Sequence, residues 1–327
     1  MPSRTGPAWE LPCPSRRWWP ALAPILAAAL LASCEVPSEG GRLARGSEMA
    51  AAGDLKGAVA EFQAATEEGP RSPQAHYRLG LALFELGDNR EAIRSLGAAV
   101  ELDPNLTDAY LALGNAYLKQ EDRRSAFLAF NEAVLKEPEN PSALYNLGVL
   151  HYMGERYSDA ARFLAKAQRL RPDDPEIVFR LGMSKLATGP LEEAVDPLQR
   201  TVELNPKHAE AWLNLGICLT SLGRLEEARA ALRHALDVKP GWSDGLNSLG
   251  VLDQSQGRDE DALGHFQQAI EADPNNARAH LNLGSLYEGK GKNPQAIVEY
   301  ELFLDQWTGS ITTAESVRRK VENLKQR

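Results

Sequence analysis

The sequence predicts an all-α protein, a solenoid of eight stacked helical hairpins followed by one further helix at the C-terminus. A Leu-Gly pair returns every 34 residues, and an Ala and a Pro return with it in the same phase. Hydrophobic residues make up 43% of the 327-residue chain and charged residues 25%. This composition can bury a core and still keep a soluble surface. Because a repeat array grows in one dimension, its length does not point to separate globular domains.

Residues 1–33 precede the repeats and have the pattern of an export signal. Arg16 and Arg17 are followed by the uncharged apolar stretch 18–33, WWPALAPILAAALLAS. A transmembrane helix needs about 20 apolar residues, so this stretch is short for a membrane span. It is typical of the apolar region of a signal peptide. We therefore predict that residues 1–33 are removed from the mature protein.

The end of the apolar stretch, residues 31–34 (LASC), resembles the lipobox of bacterial lipoproteins. The resemblance implies a diacylglycerol on the Cys34 thiol, cleavage before Cys34, acylation of the new amine and a lipidated tether over 34–41. Three acyl chains anchor a protein firmly, whereas one binds marginally. Glu35 replaces the Asp that tends to retain enterobacterial relatives in the inner membrane, which favours the outer membrane, facing the periplasm. The alternative is an ordinary signal peptide with an unmodified cysteine and a soluble periplasmic product.

Eight units of 34 residues fill residues 39–310. Seven units carry the glycine, at Gly80, Gly114, Gly148, Gly182, Gly216, Gly250 and Gly284. Alanine follows twelve residues later in each, and proline twelve residues after that in all but the last. A less regular copy, with Gly46, Ala58 and Pro70, keeps the phase at the start. Glycine and alanine let the two helices of a hairpin approach closely, and proline ends the second helix.

These spacings resemble the tetratricopeptide repeat (TPR) family. The resemblance implies a right-handed solenoid of TPR helix-turn-helix repeats, and it extends over residues 39–310 without an insertion. Gly87, Gly223 and Gly257 fall at the turn between the helices, where a left-handed backbone is expected. One hairpin cannot bury both of its faces, so its neighbours are needed for stability.

The last repeat differs from the others in a way that predicts a cap. Phe303 stands where other units have a small residue such as Ala99. Residues 311–327 are predicted to form a C-terminal capping helix that begins with a capping box, Thr312 with Glu315. One apolar face of this helix would cover the last hairpin: Val317, Val321 and Leu324.

Pro197 interrupts the pattern of a second helix. A proline in a helix interior removes a hydrogen bond and costs about 3 kcal/mol in an ideal host, so a kink is expected there. Pro190 falls near the start of the same helix, where proline is harmless. The kink is either a tolerated bend or a change in the curvature of the array.

The sequence offers little that would indicate catalysis. HExxH, P-loop and CxxC patterns are absent, and the GxSxG match at residues 241–245 (GWSDG) spans the boundary between two helical repeats instead of a strand-to-helix turn, so we expect no enzyme activity and no cofactor or metal. Removing residues 1–33, which carry three arginines and one glutamate, changes the net charge from −9 to −11. An acidic body does not attract phosphate backbones, so nucleic acid is not an expected partner.

In the TPR family, ligands bind the concave face, which is lined by the first helices of the repeats. At the corresponding positions this chain carries an aromatic and apolar series that turns polar after the fifth unit. Such a stripe is costly in water and indicates a partner site, although some members could instead pack between helices. The side chains predicted to bind a partner there are Tyr77, Phe84, Leu111, Asn115, Tyr145, Tyr152, Phe179 and Met183.

Asparagines occupy one concave position in alternate units: Asn146, Asn214 and Asn282. Some family members use asparagine there to bind a peptide backbone, because the amide offers both a donor and an acceptor. The resemblance implies the same role here, weakened because only alternate units carry it.

The leading function hypothesis is a lipid-anchored scaffold of the bacterial cell envelope that holds a segment or helix of another protein. The lipobox with a repeat array is similar to outer-membrane lipoproteins that assist assembly of the type IV pilus secretin. It is also similar to adaptors for cell-wall hydrolases or for polysaccharide export. A remote alternative is the substrate-selecting part of a glycosyltransferase.

Overall fold

A computed structural model describes residues 38–326, and the predicted signal peptide and Cys34 lie outside these residues. The described part consists of seventeen α-helices and contains no strand. The described residues divide into two compact units, with the boundary between Pro104 and Asn105. Each unit is a stack of antiparallel helical hairpins, as predicted for a helical repeat solenoid.

The first unit contains two hairpins. Its helices are α1 (Glu39–Ala51), α2 (Leu55–Glu68), α3 (Pro73–Leu86) and α4 (Asn89–Leu102). Phe62 is 3% exposed, and with Leu79 and Leu83 it forms the core between α2 and α3. The irregular first copy of the repeat is therefore a real hairpin. Its α1 begins at Glu39, where the repeats were predicted to begin, so residues 39–41 are helical rather than tether, and the Ser38 hydroxyl accepts a hydrogen bond from Gly41 N.

The second unit contains six hairpins and a last helix. Its helices are α5 (Thr107–Lys119), α6 (Arg123–Lys136), α7 (Pro141–Met153), α8 (Tyr157–Leu170), α9 (Pro175–Thr188), α10 (Leu191–Leu204), α11 (Ala209–Ser221), α12 (Leu225–Val238), α13 (Ser243–Ser255), α14 (Asp259–Ala272), α15 (Ala277–Gly289), α16 (Asn293–Gln306) and α17 (Ile311–Lys325). Odd-numbered helices from α1 to α15 are the first helices of the hairpins, and even-numbered helices are the second.

The repeated glycine lies where the two helices of a hairpin cross, and a large side chain sixteen residues later lies against it. A Cβ added to Gly216 would lie 2.6 Å from Leu232 Cγ and 3.3 Å from the Ala228 carbonyl oxygen. The same pair forms in every hairpin: Gly46–Phe62, Gly80–Leu96, Gly114–Phe130, Gly148–Leu164, Gly182–Leu198, Gly216–Leu232, Gly250–Phe266 and Gly284–Tyr300. The large partners are all buried. Only glycine leaves room for them, which explains the 34-residue glycine period.

The turn inside each hairpin needs a left-handed residue. Gly87, Gly223 and Gly257 take φ values of 89°, 75° and 70° there, as predicted. Glu121 and Glu155 occupy the same turn position in two units and also have positive φ, 60° and 58°. A residue with a Cβ is strained in that conformation, so these two turns carry a cost that the glycine turns avoid.

The interior proline does not interrupt its helix. α10 runs without a break from Leu191 to Leu204 with Pro197 inside it. Leu198 beside the proline is fully buried, and the Thr201 hydroxyl donates to the Pro197 carbonyl oxygen at 2.8 Å. Pro190 is the residue before the helix and not part of its first turn. Burial on the core side therefore holds the helix together across the missing backbone donor.

The last helix covers the final hairpin as predicted. Phe303 is fully buried and packs with Val317, Val321 and Leu324 of α17. The predicted capping box is wrong: α17 begins at Ile311 after Ser310, and no side chain caps it. Thr312 therefore lies inside the first turn rather than before it. Among the described residues, none of the helices has both the length and the hydrophobicity needed to cross a bilayer.

Candidate partner-binding surface

First helices of the second unit form a face with two open recesses. Most residues that line the recesses come from the first-helix positions at which the TPR resemblance placed a ligand surface, and Arg171, Asp174 and Ile177 are the exceptions. We call the recess between α5, α7 and α9 the amide recess, and the recess between α11, α13 and α15 the aliphatic recess. The amide recess is lined by Asn115, Ser142, Tyr145, Asn146, Arg171, Asp174, Glu176 and Ile177. The aliphatic recess is lined by Ile217, Thr220, Ser221, Asn247, Ser248, Val251 and Arg278.

The amide recess, of about 320 Å³, is polar and charged. The Tyr145 hydroxyl donates to Glu176 Oε1 at 3.3 Å, and Arg180 Nε donates to the same oxygen at 2.7 Å. Burial and the neighbouring Glu176 carboxylate raise the pKa of Tyr145. The phenol therefore stays protonated and serves as a hydrogen-bond donor at neutral pH.

Two asparagines in the amide recess have unused hydrogen-bonding groups. Asn115 is exposed and Asn146 is half-buried. Within residues 38–326 neither side-chain amide makes a hydrogen bond. Each offers two donors and one acceptor, which is what a peptide backbone requires from a binding surface.

The aliphatic recess is smaller, about 190 Å³, and has an apolar floor. Ile217 is 39% exposed and Val251 is 36% exposed. They occupy the same repeat position on α11 and α13. Arg278 stands at the edge of this recess, and its guanidinium makes no ion pair to the described part of the chain.

Hydroxyl groups in the aliphatic recess already donate to their own helices. Thr220 Oγ1 donates to the Gly216 carbonyl at 2.8 Å, and Ser221 Oγ donates to the Ile217 carbonyl at 3.1 Å. Ser248 Oγ likewise bonds back one turn, to the Asp244 carbonyl at 2.8 Å. These hydroxyls keep acceptor lone pairs but have no proton left to donate.

A buried ion cluster anchors α13 on the side away from the recess. The Asp253 carboxylate is 1% exposed and accepts from Arg229 Nη2 at 2.7 Å and Arg258 Nη2 at 3.0 Å. His265 Nδ1 lies 2.7 Å from the second carboxylate oxygen. A buried carboxylate with several partners fixes its helix strongly. Val251, two residues earlier on α13, is therefore held in place by a helix that has little freedom to move.

Phe179 is not part of an accessible surface, contrary to the sequence prediction. It is 4% exposed, lies against His208 with ring centroids 4.3 Å apart and the rings tilted by 44°, and belongs to the core of the second unit. Leu213 and Asn247, at the same repeat position in the next units, are each 7% exposed. This position faces the neighbouring hairpin from the fifth to the seventh repeat, so its side chains are structural.

Most other predicted binding residues are half-buried, with one part of the side chain in the core. In the first unit, Phe84 packs against the core around Phe62, and Tyr77 is half-buried. In the second unit, Leu111, Tyr152 and Met183 pack partly against the adjacent hairpins. The Tyr152 ring also lies edge-on to the Tyr157 ring at 5.2 Å.

Two of the three asparagines that the TPR resemblance assigned to peptide binding are engaged inside the chain. Asn214 Nδ2 donates to its own helix, at the Glu210 carbonyl, 2.8 Å away. Asn282 Nδ2 donates to Asn247 Oδ1 at 2.9 Å. Of these three asparagines, Asn146 alone makes no side-chain hydrogen bond within residues 38–326, so a fully unpaired amide at this position is limited to the amide recess.

The expected gradient from apolar to polar along the repeats is wrong for the accessible surface. Exposed aliphatic side chains at the middle position, Ile217 and Val251, lie in the sixth and seventh repeats, whereas the recess at the fourth repeat is charged. Arg171, Glu176 and Arg278 were missed. Glu176 and Arg278 are the second residue of their repeats, and reading that position as a series of its own would have found them.

Cys218 has no partner among the described residues and is fully buried. Burial raises the pKa of its thiol to about 11, so it remains an unreactive thiol at neutral pH. No group of three or more His, Cys, Asp or Glu side chains within residues 38–326 is arranged to hold a metal ion.

Comparisons with known proteins agree with the fold. The chain resembles YrrB, described as a TPR protein with an unusual peptide-binding site, at 25% identity and a TM-score of 0.53, covering 56% of this chain and 95% of YrrB. PilF of Pseudomonas aeruginosa is 20% identical with a TM-score of 0.55, covering 67% of this chain and 97% of PilF. One chain of the Cut9–Hcn1 hetero-tetramer of the APC/C is 18% identical to this chain, with a TM-score of 0.55. The match covers 90% of this chain and 58% of that one. No curated protein sequence matches.

Family models give the same result at the sequence level. A TPR repeat model matches residues 250–291. The model described as the cilia and flagella-associated protein 70 C-terminal domain matches residues 26–245, more than half of the 327 residues. The chain therefore belongs to the family of the cilia and flagella-associated protein 70 C-terminal domain, a family of tetratricopeptide repeats.

Proposed function

We propose that this protein is a protein–protein interaction scaffold that binds a segment of a partner on the first-helix face of its second unit. The observation that carries the proposal is the amide recess, where Asn115 and Asn146 present unpaired amides beside the Tyr145–Glu176 pair. Rigid helices hold these groups in place, so binding does not have to order the surface first. The likeness to YrrB, a TPR protein with a peptide-binding site, supports the same role.

Binding through this face is tested by single substitutions. Tyr152→Ala, on a half-buried side chain of α7, should weaken partner binding by about 1–3 kcal/mol if the residue is a hot spot. Glu192→Ala, on an exposed position of the second helix α10, should leave binding unchanged. Partners would be captured by cross-linking in envelope extracts and their affinities measured with purified proteins. Loss of binding in Glu192→Ala with normal binding in Tyr152→Ala would place the site elsewhere.

We further propose that the scaffold is anchored in the bacterial cell envelope through Cys34, in the outer membrane facing the periplasm. The support is the LASC sequence at residues 31–34, after an apolar stretch. Cys34→Ala should accumulate as an unlipidated precursor, because acylation precedes cleavage in this pathway. Labelled palmitate incorporation and N-terminal sequencing would report the outcome. Normal cleavage of Cys34→Ala after residue 33 would contradict a lipid anchor.

Within the envelope, we propose type IV pilus secretin assembly as the pathway to examine first. The combination of lipobox and TPR array resembles lipoproteins of that pathway, and adaptors for cell-wall hydrolases or polysaccharide export are the alternatives. Secretin multimers resolved on gels from a deletion strain, complemented with the parent or with Tyr152→Ala, would distinguish the pathways. Undiminished multimers in the deletion strain would exclude the secretin role.

A further inference from the structure

We infer that the aliphatic recess binds an amphipathic α-helix of the partner and not an extended segment. This inference rests on the proposed function and specifies the partner's conformation at one end of the first-helix face. The floor of the recess is Ile217 and Val251, both more than a third exposed. Exposed aliphatic side chains at the same position of consecutive first helices form a surface that a matching apolar stripe can cover.

Hydrogen bonding distinguishes the two conformations of a bound segment. An extended peptide brings unpaired backbone N–H and C=O groups that need partners from the surface. The three hydroxyls of the recess donate to the carbonyls of Gly216, Ile217 and Asp244, one turn back on their own helices. The donors left are the Asn247 amide, on a side chain 7% exposed, and Arg278 at the edge.

Such a donor-poor surface suits a ligand whose backbone is already paired. An α-helix satisfies its own backbone N–H and C=O groups through its interior. It can therefore lie on Ile217 and Val251 without leaving carbonyl groups buried and unpaired, which would cost about 1–3 kcal/mol each. In the amide recess, by contrast, Asn115 and Asn146 have unused amides.

Spacing predicts the sequence pattern of the bound helix. Packed helices lie about 8–10 Å apart, and residues seven apart on a helix are separated by about 10.5 Å along its axis. A helix lying across α11 and α13 would therefore place aliphatic side chains seven residues apart over Ile217 and Val251. A third aliphatic side chain, three or four residues after the first of this pair, would lie between them on the same helix face and complete the apolar stripe.

Charge fixes one further feature of the occupant. Arg278 lines the recess, is exposed and has no acidic partner among residues 38–326. The partner helix should therefore carry an Asp or Glu beside its aliphatic stripe. An acidic side chain at that point would gain a charge-assisted hydrogen bond with the guanidinium.

The test uses the full chain in lipid nanodiscs and a displayed library of random 24-residue peptides. We expect enriched peptides with aliphatic residues at heptad spacing and an acidic residue, which become helical on binding by circular dichroism. Ile217→Asp and Val251→Asp should each weaken these peptides by about tenfold or more, equivalent to about 1.4 kcal/mol. Val298→Asp, at a 53% exposed position of the second helix α16, is the matched control and should change affinity by less than about twofold.

Charge reversal adds a test that a folding defect would not mimic. Arg278→Glu should weaken the enriched peptides, and replacing their acidic residue by Lys should restore binding to that variant alone. Failure of this rescue would overturn the assignment of Arg278. The milder Ile217→Ser would replace Ile217→Asp if thermal melting showed that the aspartate variant unfolds.

The outcomes separate this inference from the proposed function. Enriched peptides that contain proline and stay extended when bound, yet lose affinity in Val251→Asp, would overturn the helix and leave the binding face intact. No enrichment, or peptides insensitive to both recess variants, would also overturn it. In that case the proposed function still depends on the separate effect of Tyr152→Ala on cross-linked partners.

Discussion

The amide and aliphatic recesses share four positions of the repeat's first helix, but they present different chemistry to a partner. At the middle position of the first helix, the amide recess has Asn115 and the aliphatic recess has Ile217 and Val251. The amides of the first are unpaired, whereas the hydroxyls of the second are bonded to their own helices. A repeat thus fixes where a side chain stands, and the individual residue decides what it can bind.

The largest expected effect concerns Phe179, in the helix α9 of the fifth repeat. Because the ring is 4% exposed and packs in the core, Phe179→Ala should lower the free energy of unfolding by about 3–5 kcal/mol. Chemical denaturation would measure the change. Tyr152→Ala, on a half-buried ring, is the comparison and should cost clearly less. A Phe179→Ala protein with parent stability and weakened partner binding would return this residue to the binding surface.

A substitution at Gly216 tests whether the repeats of the aliphatic recess can be destabilised without affecting those of the amide recess. Gly216→Val should cost about 2–3 kcal/mol, because its Cβ would lie 2.6 Å from Leu232. Loss of hydrogen-exchange protection should centre on the sixth repeat, around the aliphatic recess, and leave the amide recess protected. Gly264→Ala is the matched control, since a Cβ there meets nothing within 4 Å, and it should stabilise by about 0.5–1 kcal/mol. Uniform loss of protection over residues 105–326 would contradict nearest-neighbour coupling.

The amides of Asn115 and Asn146 test what the amide recess binds. A double substitution to alanine should weaken an extended peptide selected for this recess by about tenfold, close to 1.4 kcal/mol. It should leave helical peptides selected at Ile217 unaffected. Isothermal titration of both peptide classes would measure this. Equal losses for the two classes would mean that the two recesses act as one site.

The smallest expected effect is a pH dependence of the free energy of unfolding that arises from His151 on α7, a helix that lines the amide recess. Burial, together with Arg156 and against the opposing Asp159, lowers the pKa of His151 on α7. As the pH falls, the His151 side chain therefore becomes protonated in the unfolded chain, near pH 6.5, before it does so in the folded protein. The free energy of unfolding then decreases as the pH falls below that value.

His151→Phe provides the control for this pH dependence. The replacement keeps the ring that stacks on Phe163, 5.1 Å away, and removes the titrating group. Unfolding free energies measured from pH 7 to pH 5 should fall less in the variant than in the parent. An unchanged slope in His151→Phe would assign the pH dependence to other groups.

Much of the fold follows from the sequence because the repeat encodes a packing rule. The glycine period predicted every crossing within a hairpin. The proline two residues beyond each second helix except the last predicted where that helix ends, as at Leu102 before Pro104. Phe303 in place of a small residue predicted the capping helix. The start of this helix at residue 311 was right, but Ser310 and not Thr312 precedes it, so the predicted N-cap was wrong.

The candidate binding surface followed from the sequence only in part. Most of its repeat positions were predicted, since a helix face is fixed by spacing alone. Exposure was not, because it depends on the side chains of the neighbouring hairpin. Phe179 has the sequence pattern of a surface aromatic, yet His208 from the adjoining segment covers it.

The sequence by itself therefore determined the number and order of the helices and their crossings at glycine, and it predicted the face that we propose binds a partner. Tertiary structure alone decided which side chains of that face are accessible and which amides are free. Asn146 and Asn214 are the same residue at the same repeat position, but Asn214 donates to the Glu210 carbonyl and Asn146 donates to no described residue. Side-chain hydrogen bonds and burial are set by neighbours across the stack, and a repeat period carries no information about them.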